Sequence, residues 1–229
     1  MRPHPSVVWY QPNRSPIVGT EAKRNIFGFA EAPGNVFISS IKKSLGHDTA
    51  FSIFGKMHSV DEIAAEIFQH LKQDAEVHHN ADLSEAVVTI PVEFDGRSRR
   101  ELRRAADRAG IHIKAFVHEP FAAAVAHFYS QKSGRTLSDR EGETVLVFDW
   151  GGGTLDITVA RIMRGVVSEL AAVGIPDRSG DHFDEVLGNS VKTTFLNSNR
   201  IPADELLLRP GVRDRLRAEC ESAKIVTAQ

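Results

Sequence analysis

Three consecutive glycines between two apolar runs constrain this chain more than any other feature. Gly151, Gly152 and Gly153 follow the apolar run 145–148 and precede the partly alternating run 157–162, which predicts a β-hairpin with the glycines at its tip. Glycine adopts left-handed backbone angles at little cost. We therefore expect the N–H groups of the tip to point into one concavity, of the kind that binds oxyanions.

An aspartate stands at each end of this tip. Asp149 and Asp156 would place two carboxylates near a bound anion, where they could hold Mg²⁺ through its waters or orient a reacting water. An ordinary glycine-rich turn closed by solvated aspartates fits the same residues. The segment is not a dinucleotide fingerprint, because no G-x-G-x-x-G runs from a strand into a helix. The residues alone leave the phosphate site and the plain turn open.

Composition restricts the class of protein. The 229 residues are 41% hydrophobic, enough for a core, and carry a formal net charge of −2, with a pI of about 6.6. This balance argues against nucleic-acid and membrane-surface partners, which require a basic excess. One cysteine excludes an internal disulfide framework. No apolar run approaches the ~18 residues of a membrane span, so we predict a cytoplasmic protein.

Helices and strands alternate along the chain and then give way to a meander. Ser59 and Glu62 form a capping-box pattern ahead of a helical repeat, and a third strand follows the glycine hairpin. The pattern predicts an α/β fold with mixed sheets flanked by helices. The polar stretch 131–142 predicts a boundary, with a first lobe at 1–140, including a helical insertion at about 21–84, and the start of a second lobe at 141–229.

The ten histidines show no H-E-x-x-H spacing. We place the pair His78 and His79 in a polar loop, and we expect no zinc site from the spacing alone.

Four blocks resemble the ATPase domain of the seventy-kilodalton heat-shock chaperone family, the DnaK type. They are EAVVTIPVEF at 85–94, HEPFAAAVA at 118–126, DWGGGTLD at 149–156 and RLRAECESAK at 215–224. The resemblance covers almost the whole chain in the family's order. It implies the actin-like, ribonuclease-H-like ATPase fold with two lobes, binding ATP or ADP with Mg²⁺.

The resemblance also implies roles for individual residues. The catalytic set would be Glu119, Asp149, Thr154, Lys42 and Asp156. The nucleotide would be bound by Gly151, Gly152, Gly153, Thr154, Gly180, Glu221 and Lys224, and the metal by Asp149 and Glu119. Some of these residues also have ordinary explanations. Glu119 suits any helix start, Lys42 could belong to a solvated face, and Glu221 with Lys224 could be an i, i+3 ion pair.

The chain departs from the family pattern at its ends and at three positions. The family's first phosphate loop would precede Met1, and its later adenosine loop would follow Gln229, so we expect a domain truncated at both ends. Trp150, Phe121 and Ser179 replace the usual Leu, Thr and Gly. We expect weak ATP binding and negligible hydrolysis by the 229 residues alone.

The parent protein would couple ATP hydrolysis to the binding and release of unfolded polypeptides, with a J-type co-chaperone and a nucleotide exchange factor. Two alternatives stay open. The chain could be a non-enzymatic interaction module that keeps the fold without a nucleotide cycle. A sugar kinase or filament protein of the same superfold would share the glycine tip, but not the HEPFAAA and CESAK blocks.

Overall fold

The computed structural model describes residues 4–130, 136–176, 178–200 and 211–227. These residues form two compact units. The first comprises Met1–Ser84, Arg97–His112 and His182–Gln229, and the second comprises Glu85–Gly96 and Ile113–Asp181. Among the helices of the described segments, we find none with both the length and the apolar character that crossing a bilayer requires.

Strands and helices alternate through most of the chain. The strands are β1 Val7–Tyr10, β2 Ile17–Val18, β3 Val36–Ser39, β4 Ala50–Ile53, β5 Lys56–Ser59, β6 Glu85–Ile90, β7 His112–His118, β8 Thr144–Trp150, β9 Leu155–Met163 and β10 Val166–Ile175. The helices are α1 Thr20–Phe29, α2 Val60–His79, α3 Gly96–Arg108, α4 Glu119–Ser130, α5 Gly180–Asn199 and α6 Val212–Thr227, with short 3₁₀ helices at Ile41–Ser44 and Ser138–Arg140. The mixed α/β class predicted from the pattern is confirmed.

The first unit is built around a three-stranded antiparallel sheet in the order β2-β1-β3. The Trp9 ring stacks on the Phe37 ring with centroids 5.2 Å apart. Ala22, Ile26 and Ala218 belong to the same buried cluster. Helices α1 and α6 therefore share one core with β1.

Helix α2 begins at the predicted capping box. The Ser59 side chain accepts from the N3 backbone N–H, and the Glu62 side chain accepts from the Ser59 N–H at 3.2 Å. Both bonds satisfy donors that a helix start leaves unpaired. Asp61, buried in the first turn, accepts from Arg108 Nε of α3 at 2.9 Å. This pair joins the start of α2 to the end of α3.

The second unit contains the β6–β7 pair and the antiparallel meander β8-β9-β10. Ala124 and Phe128 of α4 pack with Ala160 and Ile162 of β9 and with Val167 of β10. The buried residues of β9 alternate with less buried ones, as expected for a strand with one covered face. Helix α4 thus covers one face of the meander.

Several sequence predictions need correction. The region about 21–84 is not a helical insertion, because it contains β3, β4 and β5 as well as α1 and α2. The β4–β5 turn has positive φ at both Phe54 and Gly55, and a phenylalanine there gives no turn signal. His78 and His79 end α2 instead of lying in a loop.

The compact units do not divide at residue 140. In the second unit, Arg140 donates to the carbonyl oxygen of Phe128 at 3.0 Å and bonds Glu143. The part of the polar stretch that the structure describes, 136–142, is therefore held within one unit; residues 131–135 lie outside the described segments. The division into lobes at 1–140 and 141–229 stays a prediction about the parent domain.

Candidate phosphate-binding site

The glycines form the tip of a hairpin, as the sequence predicts. Strands β8 and β9 are antiparallel, with Asp149 opposite Asp156 and Trp150 opposite Leu155. The Gly151 N–H donates to the Thr154 carbonyl oxygen at 3.0 Å and closes the turn. Because directly opposed residues of a pair share a face of the sheet, both aspartates lie on one face, next to the tip.

The backbone of this tip differs from the expectation. None of Gly151, Gly152 and Gly153 has a positive φ. The prediction of left-handed glycines forming a nest of N–H groups is therefore wrong. Nor does crowding require glycine at two of these positions. An added Cβ at Gly151 would lie 3.6 Å from the Thr154 oxygen, and one at Gly152 would lie 3.6 Å from Asp181 Oδ1.

The start of α5 lies against the glycine tip. The N–H of Gly180 donates to the Gly151 carbonyl oxygen at 3.0 Å, and the N–H of Asp181 donates to the Gly152 oxygen at 2.9 Å. The structure therefore brings Gly180 together with the tip, although β9 and β10 separate the two segments in sequence. A helix N-terminus carries partial positive charge and favours anions. Asp181 was not among the predicted residues.

Both carboxylate oxygens of Asp156 accept hydrogen bonds from the protein itself. The residue is 1% exposed, Oδ2 accepts from the Thr154 hydroxyl at 2.6 Å, and Oδ1 accepts from the Val92 N–H at 3.1 Å. Gly174 lies opposite Asp156 on β10, and an added Cβ there would stand 3.0 Å from Asp156 Oδ1. Sequence reasoning missed this role of Gly174, although glycine inside a strand often marks a close approach.

The two predicted metal ligands belong to the same unit as the tip. Asp149 is the residue before Trp150, the last of β8, and it is half-buried. Glu119 is the first residue of α4 and is also half-buried. The second unit therefore contains five of the predicted residues outside the glycines of the tip: Glu119, Asp149, Thr154, Asp156 and Gly180.

The other predicted residues lie in the first unit. Lys42 belongs to the 3₁₀ helix Ile41–Ser44 and is half-buried. Glu221 accepts from Lys23 Nζ of α1 at 2.7 Å. Lys224 Nζ lies 2.8 Å from Asp184 Oδ1. The two α6 side chains thus form ion pairs with other helices.

Lys23 and Asp184 were missed by sequence reasoning. Asp184 is 3% exposed, and a carboxylate at a buried helical position requires a cation nearby. That signal could be read only once the buried face of α5 was known.

Comparison with known proteins identifies the family. The family model described as "Hsp70 protein" matches residues 37–229, most of the chain. The chain belongs to the Hsp70 family. The resemblance stated from the four sequence blocks is confirmed.

Curated Hsp70 relatives agree with this assignment. The chain is 34% identical over 222 residues to "Chaperone protein DnaK" of Thermoplasma volcanium, and 33% identical over 221 residues to the protein of that name from Thermoplasma acidophilum. Each match covers 96% of this chain and 34% of the relative. The chain therefore spans about a third of the length of the Hsp70 relatives it matches.

Proposed function

We propose that this chain is part of the ATPase domain of an Hsp70-type chaperone, with the phosphates of ATP or ADP bound at the glycine tip. One observation carries the proposal. The tip has glycine where the fold itself has no need of it, and the N-terminus of α5 lies directly against it.

The glycines are best explained by something that approaches from outside the chain. At Gly151 and Gly152 neither a positive φ nor a close contact demands glycine. Alanine would fit the hairpin and would restrict the unfolded backbone more. A ligand that comes close to the backbone supplies the missing reason, and the N-terminal end of α5 favours a negatively charged ligand.

The acids beside the tip fit a hydrated Mg²⁺, which prefers carboxylate oxygens and keeps several waters. Asp149 and Glu119 are half-buried and offer such oxygens. When bound, Mg²⁺ would neutralise phosphate charge. By the resemblance, Glu119 would accept a proton from the attacking water.

The remaining roles also come from the resemblance. Thr154 and Asp156 would position groups near the transferred phosphate, and Lys42 would act as a point charge on the γ-phosphate. Glu221 and Lys224 would contact the nucleoside. In this proposal, Lys224 would leave Asp184, and Glu221 would leave Lys23, to contact the nucleoside when it binds.

The parent protein would have the actin-like fold in two lobes and work in the cytoplasm. It would couple ATP hydrolysis to cycles of polypeptide binding, assisted by a J-type co-chaperone and an exchange factor. The 229 residues alone would bind nucleotide weakly and hydrolyse it negligibly.

A Gly→Ala comparison tests the site. Isothermal titration calorimetry with Mg-ADP and Mg-ATP measures binding, and tryptophan fluorescence, to which Trp150 next to the tip contributes together with Trp9, gives a second readout. We expect weak, Mg²⁺-dependent binding that falls at least about tenfold in Gly152→Ala, or about 1.4 kcal/mol, without loss of stability. Gly28→Ala is the control, because an added Cβ there meets nothing within 4 Å.

Three outcomes would contradict parts of this proposal. Micromolar binding with normal turnover would refute the weak-fragment prediction. Unchanged binding by Gly152→Ala would refute the glycine tip as the phosphate site. A folded chain that binds no nucleotide would refute the ATPase assignment and favour the interaction module.

A further inference from the structure

Three metal-ligating side chains meet on the surface of the first unit, and none of them belongs to the proposed nucleotide site. His70 and Asp74 stand one turn apart on α2, and His4 precedes β1. His4 Nε2 lies 3.3 Å from Asp74 Oδ2, and His70 Nε2 lies 3.7 Å from the same oxygen. One ligand atom from each residue lies within 4.8 Å of the others.

These separations suit a single tetrahedral ion. Zinc binds imidazole nitrogen and carboxylate oxygen at about 2.0–2.2 Å, so two ligands of one tetrahedron stand roughly 3.3–3.5 Å apart. The two distances to Asp74 are already close to this value. A small rotation of one imidazole would bring the third pair into range.

The surroundings leave room for an ion and its water. The side chains of His4, His70 and Asp74 are 35%, 30% and 50% exposed, which gives an ion a route from solvent. Gly19 borders the cluster with φ of 82°. An added Cβ there would stand 3.3 Å from His70 Nε2 and 3.5 Å from His4 Nδ1. Glycine therefore keeps the side of both rings clear.

The donor set selects the class of metal. Two imidazole nitrogens with one carboxylate oxygen suit Zn²⁺ and the neighbouring Co²⁺, Ni²⁺ and Cu²⁺, whereas Mg²⁺ and Ca²⁺ prefer all-oxygen sites. We propose that His4, His70 and Asp74 bind one Zn²⁺, with water in the fourth position. The ion would tie the segment before β1 to helix α2.

The sequence alone does not predict this site. His70 and Asp74 have helical i, i+4 spacing without a second histidine, and the third ligand comes from a distant part of the chain. The expectation of no zinc site, drawn from the missing H-E-x-x-H pattern, considered only ligands close in sequence. Only the packing of the residues before β1 beside α2 brings the three together.

Zinc titration of the full 229-residue chain, with no polyhistidine tag, tests the proposal. We expect one Zn²⁺ per chain by calorimetry, and a tetrahedral visible absorption spectrum when Co²⁺ is the probe. His4→Ala, His70→Ala and Asp74→Asn should each weaken zinc binding at least about tenfold. These positions are partly exposed, and circular dichroism checks that the variants fold.

The matched control is His78→Ala combined with His79→Ala. This pair ends the same helix, with ring centroids 5.1 Å apart, and could attract zinc adventitiously. The control should bind zinc like the parent. The proposal fails if the folded chain binds no zinc at about 100 µM, if the control loses binding, or if any one of the three ligand variants binds normally.

Hydrogen exchange gives an independent readout. Because an ion that binds only the folded state stabilises it, zinc should slow exchange in β1 and in the turns of α2 around His70 and Asp74 in the parent. The same addition should leave Asp74→Asn unchanged. Equal slowing of exchange in the parent and in Asp74→Asn would contradict the proposal that zinc joins His4 to α2.

Discussion

The carboxylate of Asp156 shows how one residue can anchor a site without facing a ligand. Its oxygens accept from Thr154 and from the backbone of Val92, so it fixes the hydroxyl beside the glycine tip and the backbone two residues after β6. In this structure its carboxylate is occupied by protein donors. Asp149, across the hairpin, is half-buried.

We expect Asp156→Asn to lower the free energy of unfolding by about 1–3 kcal/mol. The amide has one acceptor oxygen, so either the Val92 N–H or the Thr154 hydroxyl loses its carboxylate partner in a site that is 1% exposed. Urea denaturation without nucleotide measures the change. Asp149→Asn is the control and should stay within about 0.5 kcal/mol of the parent.

An Asp156→Asn variant as stable as the parent would show that these two bonds contribute little to the free energy of unfolding.

The opposition of Asp149 and Asp156 was predictable from strand periodicity around the glycines. The bonds of Asp156 to Val92, and the space left by Gly174, were not. They join segments far apart in sequence, and local pattern contains no information on such contacts.

At the scale of elements, two sets of contacts stabilise the start of α2. The capping box satisfies its free N–H groups, and Asp61 joins it to Arg108 at the end of α3. Burial raises the pKa of Asp61, but hydrogen bonds with Ser59 and Arg108, with the charges of Arg108 and Arg104, outweigh burial and hold the pKa below its usual value.

This lowered pKa makes a pH-dependent contribution to stability. Because the folded pKa lies below the unfolded value of about 3.9, the contribution is complete well above pH 4 and is lost as pH falls through the folded pKa. We expect Asp61→Asn to cost about 1–3 kcal/mol at pH 7. The difference from the parent should narrow below about pH 4.

Urea unfolding of both proteins between pH 7 and the lowest pH at which they stay folded measures this difference. A difference in free energy of unfolding that stays constant, or widens toward acid pH, would contradict the lowered pKa of Asp61.

The sequence pattern predicted α2 and its capping box because both are local. The short strands β3, β4 and β5 were missed, since a four-residue strand carries too few residues for its period to be read.

At the scale of the whole chain, the first unit depends on its most distant parts. Ala218 of α6 is buried in the cluster of Trp9 and Ile26. Lys23 of α1 pairs with Glu221 of α6, and Glu31, just after α1, pairs with Arg215 of α6. The second unit is drawn from the middle of the chain. No local pattern could have predicted this division.

We expect Ala218→Lys to unfold the first unit selectively. A lysine in this core must bury its charge or displace α6, which should cost about 2–4 kcal/mol. Hydrogen exchange read by mass spectrometry should show lost protection in β1 and α1, with β8 to β10 unchanged. Ser222→Lys, on the exposed side of α6, is the control. Equal loss in both units would mean that they unfold as one.

The packing of α6 onto β1 also sets an order for folding during translation. The strand at Val7–Tyr10 is made long before Ala218, so the cluster around Val7 and Trp9 lacks that residue until α6 has left the ribosome. Residues 85–96 and 113–181 are complete earlier, so the glycine hairpin and its covering helix can fold before Ala218 completes the cluster on β1. The nascent protein therefore keeps the α6 side of the Val7 and Trp9 cluster exposed while the second unit is already able to fold.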